Sequence, residues 1–170
     1  MTDKMSAKSL TGKLKKRLRK EYETLEKNLE DGTRYQKDDM DMYKCHIYLS
    51  KFDEDTIIAK DLEKYNVKEV HFEITLPERY PFAPPFVRIV TPRFLSYVGF
   101  ITSGGSLCLD LLTASSWSPA YTIDALLIQI KIFIKDGKID PKNANGVYTM
   151  AEAKQQYDYT TKVHGWGKKT

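Results

Sequence analysis

Between Phe94 and Ile134 the chain carries only three charged side chains, Asp110, Asp124 and Lys131. Charged residues make up 29% of the whole chain, so a stretch this neutral is expected to be largely interior or to wall a site. Any fold the chain adopts has to cover it. Its last part, Ile123–Ile134, is almost wholly apolar, and a helix apolar on every side is expected to be buried. Thr122 stands where a cap is needed, and Asp124 falls in the first turn, where a negative charge suits the helix dipole. Gly137 ends the run.

The flanking segments supply the surface that covers this stretch. Leu14, Leu18, Tyr22, Leu25 and Leu29 recur at helical spacing with Lys and Arg between them, which predicts an amphipathic helix ended by Asp31-Gly32. Met42–Phe52 reads as a strand, and Thr56–Tyr65 suits a short helix through Ile57, Ile58 and Leu62. Val70, Phe72, Ile74 and Leu76 alternate with polar residues, which predicts a half-buried strand. In Tyr80-Pro81-Phe82-Ala83-Pro84-Pro85 the prolines exclude helix, and Tyr80–Pro81 is a candidate cis bond. Phe86–Val90 reads as a third strand. Thr149-Met150-Ala151-Glu152 has the spacing of a capping box and opens a last helix toward Val163. The order predicts an α+β domain: an antiparallel meander sheet with an N-terminal helix, a buried central helix and a C-terminal helix.

At 170 residues the chain fits one domain, read as residues 10–170 behind a flexible tail over residues 1–9. Two cysteines exclude a disulfide framework and a four-cysteine zinc site. No run approaches the ~20 apolar residues of a membrane span. Residues 1–20 lack the apolar core of a signal peptide, so a cytoplasmic or nuclear location is the expectation. The net charge of +4 is uneven: residues 1–20 hold eight basic side chains and one acid, and the remainder is net acidic. One basic helix on an acidic body is a small footprint for nucleic acid or a membrane surface, and neither is expected as a partner. A solvated face is the commonest role of such a helix, and docking to an acidic protein surface is a further reading.

Cys108 is the first candidate for chemistry. It follows Gly104-Gly105 and precedes Asp110, with no Lys, Arg or His within a dozen residues. Nothing local lowers its pKa, and no base is placed to activate it. Such a thiol suits the receipt and holding of an acyl group better than proteolysis, which needs a paired imidazole. A buried structural thiol fits the same surroundings, and for Cys45, on a strand pattern, it is the expectation. His46 and His71 lie on strands, and His164 near the chain end. Trp117-Ser118-Pro119-Ala120 forms a rigid turn that suits either a protein contact or a plain helix entry.

Phe72–Pro85, Cys108-Leu109-Asp110, Trp117-Ser118-Pro119-Ala120 and the apolar helix, in this order and spacing, resemble the ubiquitin-conjugating enzymes. The segments Gly99-Phe100-Ile101, Gly104–Cys108 and Tyr148 to Trp166 are similar to the Q-type branch, here without its long N-terminal extension. The resemblance implies that Cys108 accepts ubiquitin or a ubiquitin-like protein as a thioester from the activating enzyme. It then passes the modifier to an amine of a substrate protein, directly or with a ubiquitin ligase. No cofactor is implied for this chain, ATP being consumed by the activating enzyme. Lys16, Arg17 and Lys20 match helix positions that dock these partners, and Phe82 with Ser118, Pro119 and Ala120 matches the two loops that ligases grip. Asp110 matches an acid at the cleft rim. The family's His-Pro-Asn motif is missing, with Phe100 at the position of its Asn. Candidates to support the oxyanion in its place are Thr102, Ser103, Ser106, the amides of Gly104-Gly105, Asn143, Asn145 and His164. The competing reading is a catalytically silent variant that binds ubiquitin or a ligase as a scaffold.

Overall fold

A computed structural model describes residues 3–96, 98 and 100–164, with the side chains of residues 3–11 and 164 outside that description. Helix α1 (Asp3–Lys27) leads to strands β1 (Thr33–Lys37) and β2 (Lys44–Leu49), then helix α2 (Ile57–Lys64). Strands β3 (Val70–Thr75) and β4 (Phe86–Thr91) follow, then helices α3 (Ile123–Ile134) and α4 (Met150–His164). The four strands form one antiparallel meander in the order β1-β2-β3-β4. Pairing sets Cys45 opposite Ile74, Ile47 opposite Phe72 and Phe72 opposite Ile89, so the alternation puts these side chains on one face. All five are fully buried and join Leu126, Ile130 and Ile134 of α3 and Leu18 and Leu25 of α1 in a single core.

The local signals for α2, α3 and α4 hold. The Thr56 hydroxyl accepts from the Ala59 amide, and the Thr122 hydroxyl from the Ala125 amide. At α4 the box is reciprocal: the Glu152 amide donates to the Thr149 hydroxyl and the Thr149 amide to the Glu152 carboxylate. Tyr80–Pro81 is cis, as is Thr91–Pro92.

Helical geometry begins at Asp3. Three expectations need correction. Helix α1 ends at Lys27 rather than at Asp31-Gly32; Gly32, with φ +77°, instead makes the turn into β1, where a side chain would collide with Lys51. Strand β1 (TRYQK) is a fourth strand that the three-strand expectation omits. It turns one large apolar group inward, Tyr35, which stacks on Tyr22 at 5.6 Å, so it lacks the alternation that marks a half-buried strand. Helix α3 is not buried all round: Ile128 is 52% and Ile132 47% exposed, because the sheet and α1 cover only one side of it.

Glu21 joins the parts. Its carboxylate is 6% exposed and accepts from Tyr80 Oη at 2.7 Å, the Ile123 amide at 3.0 Å and Arg17 Nε at 2.6 Å. One side chain of α1 therefore fixes the proline-rich loop and the first turn of α3, whose free amides favour an anion. Glu21→Ala leaves a buried hydroxyl and a buried amide without an acceptor. The expected loss is about 3–5 kcal/mol of unfolding free energy by urea titration.

Candidate active site

The segment after β4 doubles back as a tight hairpin. The Ile89 amide donates to the Gly105 carbonyl and the Leu107 amide to the Val87 carbonyl, so this hairpin covers the free edge of β4. Its tip is held by Thr102 and Ser106, whose hydroxyls bond each other at 2.7 Å while the Gly105 amide donates to the Thr102 carbonyl. Gly105 has φ +85°, and a Cβ there would lie 2.6 Å from the Tyr148 ring; one on Gly104 would meet the Glu152 backbone. The glycine pair serves the approach of Tyr148 and α4.

Cys108 is the next residue out of this hairpin, beside the start of β4, with its amide donating to the Phe100 carbonyl at 2.9 Å. Its thiol is free and half-buried, whereas Cys45 is fully buried and pushed up to about 12 by burial and Glu73. Burial, then the Asp110 carboxylate, pushes Cys108 up to about 11. Among the described residues no cation acts on it. Asp110 is exposed and opens a short 3₁₀ turn, Asp110–Leu112. Beyond it lies an open groove of about 470 Å³ lined by Phe100, Leu109, Asp110, Tyr121, Gln129 and Phe133, among others. Phe100 stands at φ +63°, 53% exposed, with its ring edge-on to Phe133 at 4.8 Å.

The two loops expected to meet partners do lie together. Trp117 Nε1 donates to the Pro81 carbonyl at 2.7 Å, and its ring centroid is 6.2 Å from that of Tyr80. Phe82 is 66% exposed beside them, as are Pro119 and Ala120; Ser118 is half-buried, its hydroxyl accepting from the Ala120 amide. Lys16 and Lys20 are exposed. Arg17 is occupied: it donates to the Pro119 and Tyr121 carbonyls at 2.7 and 3.0 Å and so ties α1 to this loop.

The candidates for oxyanion support do not converge. Ser106 and Thr102 are buried and spend their hydroxyls on each other, and Ser103 is exposed at the hairpin tip. Asn143 packs on Gly146, whose carbonyl accepts from Thr91 at the far end of β4. Asn145 sits in that same turn. Cys108 lies beside Phe86 at the near end, roughly 17 Å away along the strand. His71 pairs with Thr91 at that far end too, and His46 bonds it, Nδ1 to Nε2 at 2.9 Å. His164 ends α4, and its side chain lies outside the described residues. Tyr157, which the sequence offers only as part of the Q-type tail, packs on the strand residue beside Cys108. Four residues beyond buried Ala153 on α4, it presents its ring edge-on to Phe86 at 5.3 Å. Helical spacing from the capping box was the signal available for it.

The ubiquitin-conjugating enzyme family, as described by its profile, matches residues 17–165. The chain belongs to the ubiquitin-conjugating enzymes. Among curated relatives it is 35% identical over 136 residues to ubiquitin-conjugating enzyme E2 25 of Caenorhabditis elegans, covering 74% of this chain and 34% of that protein. It is 29% identical over 135 residues to the human ubiquitin-conjugating enzyme Q-like protein 1, covering 75% of this chain and 83% of that one. The chain thus spans about a third of the worm relative and most of the human one, and the Q-type resemblance is shared with relatives that carry that name. A crystal structure of a ubiquitin conjugating enzyme E2 from Plasmodium falciparum has the same fold, with a TM-score of 0.59 at 20% identity over 72% of this chain and 98% of that one.

The raised thiol has a direct consequence for this ubiquitin-conjugating enzyme. Alkylation of Cys108 by iodoacetamide is expected to climb with pH up to about 11. Asp110→Asn removes the acid that raises it, so alkylation at pH 8.5 becomes faster; mass spectrometry of the modified peptide reads both.

Proposed function

We propose that this chain is a transferase that carries ubiquitin, or a ubiquitin-like protein, as a thioester on Cys108. In the first step the thiol attacks the carbonyl of the modifier held as a thioester by the activating enzyme. A carbon–sulfur bond forms to Cys108 and the activating enzyme's thiol departs. In the second an acceptor amine, free or presented by a ligase, attacks the same carbonyl and Cys108 leaves. One observation carries this reading: Cys108 is a free, half-buried thiol whose chain neighbours Leu109 and Asp110 line an open groove together with Phe100.

The high thiol pKa shapes both steps. Little of the thiol is ionised at pH 7, which slows loading, although a more basic thiolate is also the better nucleophile. The same basicity makes it a reluctant leaving group, so the acyl group is held until an amine is positioned. On this reading the chain needs no cofactor, since ATP is spent by the activating enzyme, and it works in the cytoplasm or nucleus. Lys16, Lys20, Phe82, Pro119 and Ala120 form the surface offered to the activating enzyme and ligases, and Arg17 holds that surface together. Among the described residues no helix is long and apolar enough to cross a membrane.

Phe100 favours a second reading, a silent scaffold, because the family's Asn is replaced by a side chain with no donor. Incubation with activating enzyme, ATP and ubiquitin separates the two. A dithiothreitol-sensitive adduct is expected on a non-reducing gel, absent from Cys108→Ala and dithiothreitol-resistant in Cys108→Ser. The absence of any adduct across a panel of activating enzymes and modifiers leaves the scaffold.

A further inference from the structure

The cleft lacks the amide donor that the family's Asn supplies, and most of the hydroxyls near it are committed. Thr102 and Ser106 bond each other, and Tyr148 bonds both the amide and the carbonyl of Phe94. Ser103 points out from the hairpin tip. Tyr157 differs from all of these. Its ring is clamped against Phe86, the strand residue beside which Cys108 lies. Its hydroxyl makes a single stretched bond, 3.5 Å to the carbonyl of Leu112, four residues past the cysteine. A contact that long is weak and readily exchanged for a better acceptor. The backbone beneath is firm, because the turn of α4 before it sits on Gly104 through Glu152 and Gln156.

Tyr157 is half-buried and close enough to Cys108 for the thiol's charge to be felt: burial first, then Cys108 and Asp158, holds its phenol above the usual value. It therefore stays protonated at the pH of the reaction and is a donor, not a base. It makes no hydrogen bond to the Cys108 sulfur itself. A donor near the sulfur that does not bond it, its ring held on Phe86 and its hydroxyl only loosely held by Leu112, is free to meet an acyl group formed there.

We propose that the Tyr157 hydroxyl is the oxyanion donor of this enzyme, replacing the amide that is missing at Phe100. The inference rests on the transferase reading above. When an amine attacks the thioester, its nitrogen bonds to the carbonyl carbon and the carbonyl electron pair moves onto oxygen. The Tyr157 O–H donates to that oxyanion and keeps its proton. The intermediate then collapses, the C=O bond re-forms, the C–S bond breaks with its electron pair going to the Cys108 sulfur, and the ammonium proton passes to solvent. A donor placed for the oxyanion, not for the ground-state carbonyl, accelerates this step. Because the bond to Leu112 is long, giving it up costs little.

The test is single-turnover discharge of the isolated Cys108–ubiquitin thioester to free lysine. Tyr157→Phe keeps the ring against Phe86 and removes only the hydroxyl. Discharge is expected to slow on the order of 10²-fold. The concentration of lysine giving half-maximal rate should not change, nor should the melting temperature. Loading from the activating enzyme should slow less, because a thiolate is the stronger nucleophile. Tyr157→Leu, which also loses the ring packing, should be no slower than Tyr157→Phe if the hydroxyl is the active part. Discharge of Tyr157→Phe at the wild-type rate overturns the proposal. So does a loss of discharge matched by an equal loss of loading and a lower melting temperature, which marks a structural tyrosine. A wild-type protein that forms no thioester refutes the transferase reading itself, and this inference with it.

Discussion

The buried carboxylate of Glu21 is the contact on which the arrangement turns. It accepts from the Tyr80 hydroxyl, from the first amide of α3 and from Arg17, and Arg17 in turn holds the carbonyls of Pro119 and Tyr121. A carboxyl group at 6% exposure is tolerated only when its hydrogen-bonding capacity is filled, and here every donor comes from a different piece of chain or from the preceding turn of its own helix. The result is a fixed distance between α1, the proline-rich loop and the entry to α3. Trp117 lies within that frame and bonds Pro81, so the exposed Phe82 and the Pro119–Ala120 turn are presented together. A charge at one helix face thus sets the shape of a surface made by two distant loops.

The scarcity of charge between Phe94 and Ile134 conflates two physical situations. Leu126, Ile130 and Ile134 are core, and Ile101 and Leu107 form the hairpin that seals the sheet edge. Ile128 and Ile132, equally apolar, face outward. Composition records what a residue is, not how many layers cover it, and a single-layer sheet covers one side of a helix. The strands with alternating apolar residues and the helices with side-chain caps were legible because their signals are local. Strand β1 was not, because its place comes from pairing Thr33–Lys37 with Cys45–Leu49 and not from its own side chains.

The site divides in the same way. Motif order singles out Cys108, Asp110 and the two loops along the chain, since the family spacing carries them. The donors were not. Ser106 and Asn143 have suitable groups in the sequence, yet one is spent inside the hairpin and the other lies at the opposite end of β4. Tyr157 is separated from Cys108 by most of the neutral segment and the whole of α3, so nothing in the linear order joins them. What joins them is the absence of side chains at Gly104 and Gly105, which lets the start of α4 settle on the hairpin.

That seating has a consequence for the order in which the molecule is made. Forty-eight residues lie between Cys108 and Tyr157, and a ribosome adds them over about 2–10 s. Throughout that interval the nascent chain holds the thiol without the helix that packs on its hairpin. The cleft is therefore the last part of the domain to be assembled, and a chain released early would keep the nucleophile while lacking the helix that lies over its hairpin.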